Sequence, residues 1–275
     1  RDSVASRGLG DVYKRQVANI TFTGGTNTFS GAASFTNDGT LTLGNASGDS
    51  FTFNGGVTEN TTGTVTLASA ISSSNDAISF GAVTLGSATT IDTNATNTTG
   101  DLTIGVVTGG NNTLTLSTGD NVANSDITAS GNISGVSTLT LADVGGTATL
   151  SGDVDVTTLT VGNTVLNLAF TGNGSSVANS FTPTNDGTLT LGTSGGTQTY
   201  NGGLNTASVS GTVTLNGTIA TSNDAVVFGA VTLGSATTID TNATNTDGDI
   251  TIAAVTGGNN ALTLSTGSVA NADIT

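Results

Sequence analysis

Beyond residue 16 this chain contains no lysine and no arginine, and nowhere does it contain histidine, cysteine, methionine or tryptophan. Each absence removes a class of function. Without cysteine there are no disulfides and no thiol chemistry, which suits a protein working outside the cell without dependence on redox state. Without cations there is nothing to neutralise phosphates, so nucleic acid is excluded as a partner. Adsorption to anionic lipid is disfavoured for the same reason. General acid–base and nucleophilic catalysis usually draw on histidine, lysine or cysteine, so an enzyme is not expected. No apolar run is long enough to span a bilayer as a helix. Proline occurs once, at Pro183, as expected where nearly every backbone N–H is committed to a strand ladder.

What is present is repetition. The stretch from Asn75 to Gly119 returns at Asn223 to Gly267 with 38 of 45 positions identical, at an offset of 148 residues. The repeat reaches further out: NDGTLTLG at Asn37 to Gly44 recurs at Asn185 to Gly192, and GTVTL at Gly63 to Leu67 recurs at Gly211 to Leu215. The differences are informative. Ile78 becomes Val226 and Leu102 becomes Ile250, staying apolar, while the neighbouring Ser79 becomes Val227 and Thr99 becomes Asp247. Conserved character at one position and drift at the next is the signature of alternating strand faces.

Residues 1–16, RDSVASRGLGDVYKRQ, hold all four basic residues of the chain and match nothing that follows. Asp11 to Gln16 is the translation of a transposase end sequence used in fragment-library sequencing. These residues read as translated adaptor and are set aside from fold reasoning. The remainder is expected to be an internal fragment. It divides into a first super-repeat copy at 17–164 and a second, truncated copy at 165–275, together one continuous body over 17–275. It carries 17 acidic side chains, the 19 of the whole chain less Asp2 and Asp11. A net charge this far from zero favours solubility over self-association.

From Val17 onward the chain alternates short apolar groups with glycine, asparagine and serine. Examples are ITF at Ile20, TLTL at Thr40, FTF at Phe51, TVTL at Thr64, VTL at Val83 and TLTL at Thr113. No helical period is present, and β-branched threonine, valine and isoleucine favour strands. Central strand positions fall 24, 18, 19 and 12 residues apart from Leu41 through Val65, Val83 and Leu102 to Leu114. Most of these steps lie near the length of one β-solenoid coil. The expected fold is all-β, a right-handed parallel β-helix of about twelve coils and about 58 Å, with glycine and asparagine supplying positive φ at the corners. A string of antiparallel sandwich modules is the competing fold, suggested by hairpin signals at Asn37, Asn185, Asn54, Asn201 and Asn216.

Stacked TLTL-type strands, Asn and Gly corners, absent cysteine and a near-identical long repeat together resemble the large bacterial β-strand-repeat surface proteins. These are similar to filamentous-haemagglutinin-type adhesins and autotransporter passengers. The resemblance covers Val17 to Thr275 and is one of style, with no single diagnostic motif. It implies a right-handed parallel β-helix, secretion to the cell surface, and a role in adhesion or as a stalk. The partner so implied is a host or matrix glycan or protein, or none for this segment.

Three chemistries remain to be placed on the fold. Asp153 with Asp155, and Asp247 with Asp249, are the only close acidic pairs, and carboxylate pairs alone can cleave glycosides. Their more natural role is that of solvated rim charges. The same residues with Asp143 or Asp240 are the candidates for a calcium site, although no EF-hand or Gly-Gly-x-Gly-x-Asp spacing occurs. No catalytic, cofactor-binding or metal site is expected from these patterns. Finally, the pairs Thr40/Thr42, Thr64/Thr66, Thr113/Thr115, Thr138/Thr140, Thr188/Thr190 and Thr212/Thr214 should point outward. Stacked in one plane, such pairs would resemble the flat threonine surface of ice-binding solenoids, which is the alternative functional reading.

Overall fold

The structure is a computed structural model and describes residues 18–96, 100–119, 122–244, 248–268 and 271–275. Residues 1–16, and with them the adaptor assignment, lie outside the described residues, as does Asp247.

Strands form where inward Leu, Ile, Val and Phe alternate with outward Thr and Ser. Leu41–Leu43, Val65–Leu67 and Val83–Leu85 each bury their first and third residues and leave a half-exposed threonine between them. Three residues are enough for one inward pair. Every pairing recorded between strands is parallel. No helix occurs among the described residues. The fold is a parallel β-solenoid of about eleven turns.

Each turn contributes one strand to each of three faces. The first face begins with Ile20–Phe22, the second with Thr26–Phe29 and the third with Ala33–Phe35. On the first face Ile20 stacks on Leu41, Leu41 on Val65, Val65 on Val83, Val83 on Val107, Val107 on Ile133 and Ile133 on Val154. Steps along this face run from 18 to 26 residues. The 19- and 12-residue spacings belong to no stack: Leu102 lies on the third face above Ile78, and Leu114 on the second face above Thr89. The sandwich alternative fails on the same pairings. Its Asn-Gly signals are tight corners. Gly56 N–H donates to the Phe53 carbonyl at 2.8 Å and Gly203 N–H to the Tyr200 carbonyl at 2.9 Å, and both glycines have positive φ.

Asparagine shares the corner role. Asn75, Asn94 and Asn111 have positive φ, and so do their equivalents Asn223, Asn242 and Asn259. Asparagine tolerates this region better than most L-residues.

The core is one thin axial column of aliphatic and aromatic side chains, from Phe35 and Leu41 through to Ile250. Phe22, Phe29, Phe35, Phe51 and Phe53 interlock near its start through edge contacts and one stack. Phe170, Phe181 and Tyr200 form a second aromatic group. Each rung contacts mainly its neighbours, so stability accumulates rung by rung.

Candidate functional site: outward rows and corners

The outward side chains form files, because parallel in-register stacking sets equivalent positions about 4.8 Å apart. On the third face the file runs from Ser34 through Thr58, Ser79, Thr103, Thr128 and Thr149. Ala169 interrupts it, and Thr190, Thr214, Thr232 and Thr256 continue it. Ten of its eleven rungs therefore carry a hydroxyl. On the first face a threonine file from Thr21 to Thr108 passes to Ser134 and then to Asp155.

The six Thr-x-Thr pairs do point outward, but they do not share a plane. Thr40/Thr42 and Thr64/Thr66 lie along the first face. Thr113/Thr115 and Thr138/Thr140 lie along the second, and Thr188/Thr190 and Thr212/Thr214 along the third. Two pairs per face is a different surface from six pairs in one array.

Several carboxylates serve the backbone. At several corners the side-chain oxygen of one rung accepts the amide of the next. Asp101 Oδ1 accepts Asp126 N–H at 3.0 Å, and Asp126 Oδ1 accepts Thr147 N–H at 2.7 Å. Asn132 Oδ1 accepts Asp153 N–H at 3.0 Å, and Asp153 Oδ1 accepts Gly174 N–H at 2.7 Å. Asp249 repeats the device on Asp273 at 2.9 Å. Asp240 closes a local turn on Asn242 N–H at 3.0 Å. Such bonds extend the ladder round corners where regular pairing stops, and they satisfy amides that would otherwise lie unpaired.

The sequence-derived acidic pair Asp153/Asp155 is thereby split by role. Asp153 is a corner acceptor, whereas Asp155 is exposed on the first face between Ser134 and Ser176. A surface depression beside it is lined by Asn111, Val136, Thr157 and Ser176, with Asp155 as its single carboxylate. Glycoside cleavage needs two carboxyl groups across the scissile bond. Asp143 sits in a positive-φ corner and donates no carboxylate to a shared centre with Asp153. Among the described residues no three His, Cys, Asp or Glu side chains converge as a metal set.

Three buried polar features were not singled out from sequence. Glu59, only 5% exposed, folds inward and accepts Gly81 N–H at 3.0 Å and the Thr61 amide. Gln198 lies within the core. Its Nε2 donates to the Phe170 carbonyl at 3.0 Å, and its Oε1 accepts the Tyr200 hydroxyl at 2.9 Å. Burial pushes the Tyr200 phenol far above its ordinary range, so it remains a neutral donor. The corresponding strand of the first copy carries Phe51 and Phe53 inward, which need no such bond. Third, Ser125 Oγ, Asn185 Oδ1 and Thr206 Oγ1 are buried without a hydrogen-bond partner among the described residues. The signal that could have found all of these is the comparison of the two copies, since each either lies where they diverge or, like Asn185, faces a position that does.

The solenoid thus offers long outward files and ordered corners. No family model matches the chain, and neither a curated protein nor a solved structure is detectably similar to it.

Proposed function

We propose that this chain is a structural and adhesive segment of a large secreted bacterial surface protein. In this reading it is a stiff spacer whose outward files make weak contacts many times over. The observation that carries it is the stack of about eleven turns whose outward positions are mostly repetitive hydroxyls and several of whose carboxylates accept backbone amides. Such a surface has no single strong site. It gains affinity through the number of simultaneous contacts. The acidic balance and lack of cations past residue 16 keep neighbouring rods apart.

The test uses beads coated with the purified chain over a range of densities and washed over immobilised collagen or mannan, a neutral glycan. Retention should rise more steeply than linearly with density. Retention equal to that of albumin-coated beads at every density would remove the adhesive role.

The hydroxyl file of the third face supports a second reading, ice binding, because ten of eleven rungs carry Ser or Thr there. The distribution of the Thr-x-Thr pairs over three faces weighs against it. Thermal hysteresis of the purified chain decides between the two.

A further inference from the structure

Four Asn-Gly pairs occur in the chain, at Asn54, Asn173, Asn201 and Asn216, and all lie among the described residues. This dipeptide carries its own reaction. The backbone nitrogen of the glycine can attack Cγ of the asparagine before it, because no Cβ on the glycine stands in the way. Whether it does so depends on what that nitrogen and that side chain are already bonded to. The fold treats the four pairs differently. Two are held. Gly174 N–H donates to Asp153 Oδ1 at 2.7 Å, a charged acceptor on the preceding rung, and Gly217 N–H donates to Ser235 Oγ at 3.3 Å. A nitrogen engaged in this way must give up its bond before it can turn on its own neighbour.

The other two pairs occupy equivalent corners. Asn54 and Gly55 are the central residues of the turn closed by Gly56 N–H on the Phe53 carbonyl, and Asn201 and Gly202 are those of the turn closed by Gly203 N–H on the Tyr200 carbonyl. Among the described residues neither Gly55 N–H nor Gly202 N–H has a protein acceptor. The two asparagines differ. Asn201 is half-buried and its Nδ2 donates to Ser176 Oγ at 3.3 Å. Asn54 is exposed, and its side chain bonds to nothing among the described residues. Only at Asn54 are the attacking nitrogen and the attacked amide both free.

We propose that Asn54 is a site of spontaneous covalent modification, deamidation through a cyclic imide formed with Gly55. The Gly55 nitrogen bonds to Asn54 Cγ, the Cγ–Nδ2 bond breaks, and ammonia leaves with the proton that the Gly55 nitrogen gives up. Water then opens the ring. Attack at Cγ restores the ordinary backbone with aspartate at this position. Attack at the Asn54 backbone carbonyl carbon leaves the chain running through Cγ, one carbon longer. The net change is ammonia lost for water gained, with one new carboxylate and no oxidant, metal or enzyme. Stacking keeps the reactive pair in place. A Cβ on Gly55 would stand 2.4 Å from the Ala32 backbone nitrogen of the preceding rung, so no bulkier residue that would slow the attack fits there. The corner joins Ser50–Phe53 to Val57–Glu59, and both strands are paired to rungs on either side. The lengthened product has to be absorbed within the turn itself.

The test follows all four pairs in the purified full chain, held in mildly alkaline buffer and then digested with pepsin in acid, which halts the reaction. Mass spectrometry reads the replacement of amide by acid at each asparagine, and electron-transfer fragmentation separates the two linkages. In the folded chain Asn54 should convert at least about tenfold faster than Asn173, with Asn201 between them. In denaturant the four rates should converge. Asp153→Ala, which frees the Gly174 amide, should raise the Asn173 rate about tenfold and leave the Asn54 rate as in the parent, whereas Asp153→Asn should leave Asn173 slow. The unchanged Asn54 rate separates a freed amide from general loosening of the fold. Asn173 converting as fast as Asn54 in the folded parent would overturn the proposal. So would an Asn54 that stays intact over the time in which the denatured chain converts fully, or an Asn173 that stays slow in Asp153→Ala. No readout depends on adhesion, so a chain that sticks to nothing still reports on this site.

Discussion

Thr61 donates its hydroxyl to Asn37 Oδ1 across 3.1 Å, from one rung to the rung 24 residues before it. That bond completes an asparagine whose Nδ2 already donates to three carbonyls, those of Ala18, Gly39 and Thr40. The second copy keeps the asparagine but not the threonine. Asn185 Nδ2 still donates to the Leu166, Gly187 and Thr188 carbonyls. Val209 stands where Thr61 stood, as Ser210 N–H meets the Asn185 carbonyl the way Thr62 N–H meets that of Asn37. Asn185 Oδ1 is left buried and unpaired. Val209→Thr should therefore stabilise the chain by about 1 kcal/mol, and Thr61→Val should destabilise it by a similar amount. Urea unfolding of both variants checks this. Equal and opposite shifts of midpoint at constant slope are expected.

The other two unpaired groups are resolved the same way. Thr206 occupies the inward place of Glu59 but is too short to reach the next rung, so its hydroxyl is buried without a partner. Thr206→Val should be neutral or stabilising by up to about 1 kcal/mol. Ser125 corresponds to Ala272 in the second copy, and Ser125→Ala should likewise not weaken the fold. A loss above about 1 kcal/mol in either variant, read by thermal unfolding, would show that the hydroxyl has a role in the native state.

Tyr200 gives the chain an unusual pH dependence. Residues 17–275 contain no His, Cys, Lys or Arg, and Tyr200 is their one tyrosine. Burial holds the folded phenol protonated, while in the unfolded chain it ionises near its ordinary pKa of about 10. A group with a raised folded pKa contributes stability that is intact below the unfolded pKa. That contribution is lost as pH rises above it. Stability should thus fall above about pH 10 by about 1.4 kcal/mol per pH unit. Tyr200→Phe should abolish that alkaline decline. At neutral pH the variant should lose about 1–3 kcal/mol, because Gln198 Oε1 loses its donor. The double variant Q198F/Y200F, which imitates Phe51 and Phe53, should recover part of that loss.

Inward and outward positions were legible in the sequence, because Leu41, Thr42 and Leu43 alternate as a strand must and corner asparagines and glycines punctuate the strands. Which strand stacks on which was not. Corner lengths vary too much for counting: five residues separate Phe35 from Leu41, but ten separate Ile91 from Leu102. Residue spacing therefore mixed faces, and Leu102 and Leu114 were placed in a series to which neither belongs. That Leu41 lies on the first face while its equivalent Leu189 lies on the third was hidden for the same reason. All three faces use the same Leu-Thr-Leu idiom, so nothing in the string distinguishes them. The carboxylate at Asp153 read as a rim charge because its partner is an amide of the following rung, 21 residues away.

Glycines separate into those that stacking requires and those it does not. Gly119 has φ +92°, and a Cβ there would run into the Ala95 carbonyl of the preceding rung. Its equivalent Gly267, at φ +83°, meets the Ala243 carbonyl in the same way. Backbone cannot step aside as a flexible side chain can. Gly119→Ala and Gly267→Ala should each cost more than about 2 kcal/mol. Gly162 faces open space with no positive φ. Gly162→Ala should be neutral or stabilise by up to about 1 kcal/mol, by restricting the unfolded chain. Thermal melts of the three variants give the ordering, and a Gly119→Ala protein as stable as Gly162→Ala would contradict the stacking at that corner.

Asp153 is the sharpest test of what the acidic residues are for. If its role is to accept Gly174 N–H across the corner, then shape and acceptor matter and charge does not. Asp153→Asn keeps a carbonyl oxygen in place and should change stability by less than about 0.5 kcal/mol. Asp153→Ala removes the acceptor and should cost about 1–2 kcal/mol. Calcium at millimolar concentration should leave the melting temperature of the parent chain and of both variants unchanged, since binding to the folded state alone would raise it. A calcium-dependent rise in the parent that disappears in Asp153→Asn would reassign this corner as a cation site. Equal destabilisation by the two substitutions would show that the negative charge, rather than the amide it receives, is what the turn depends on.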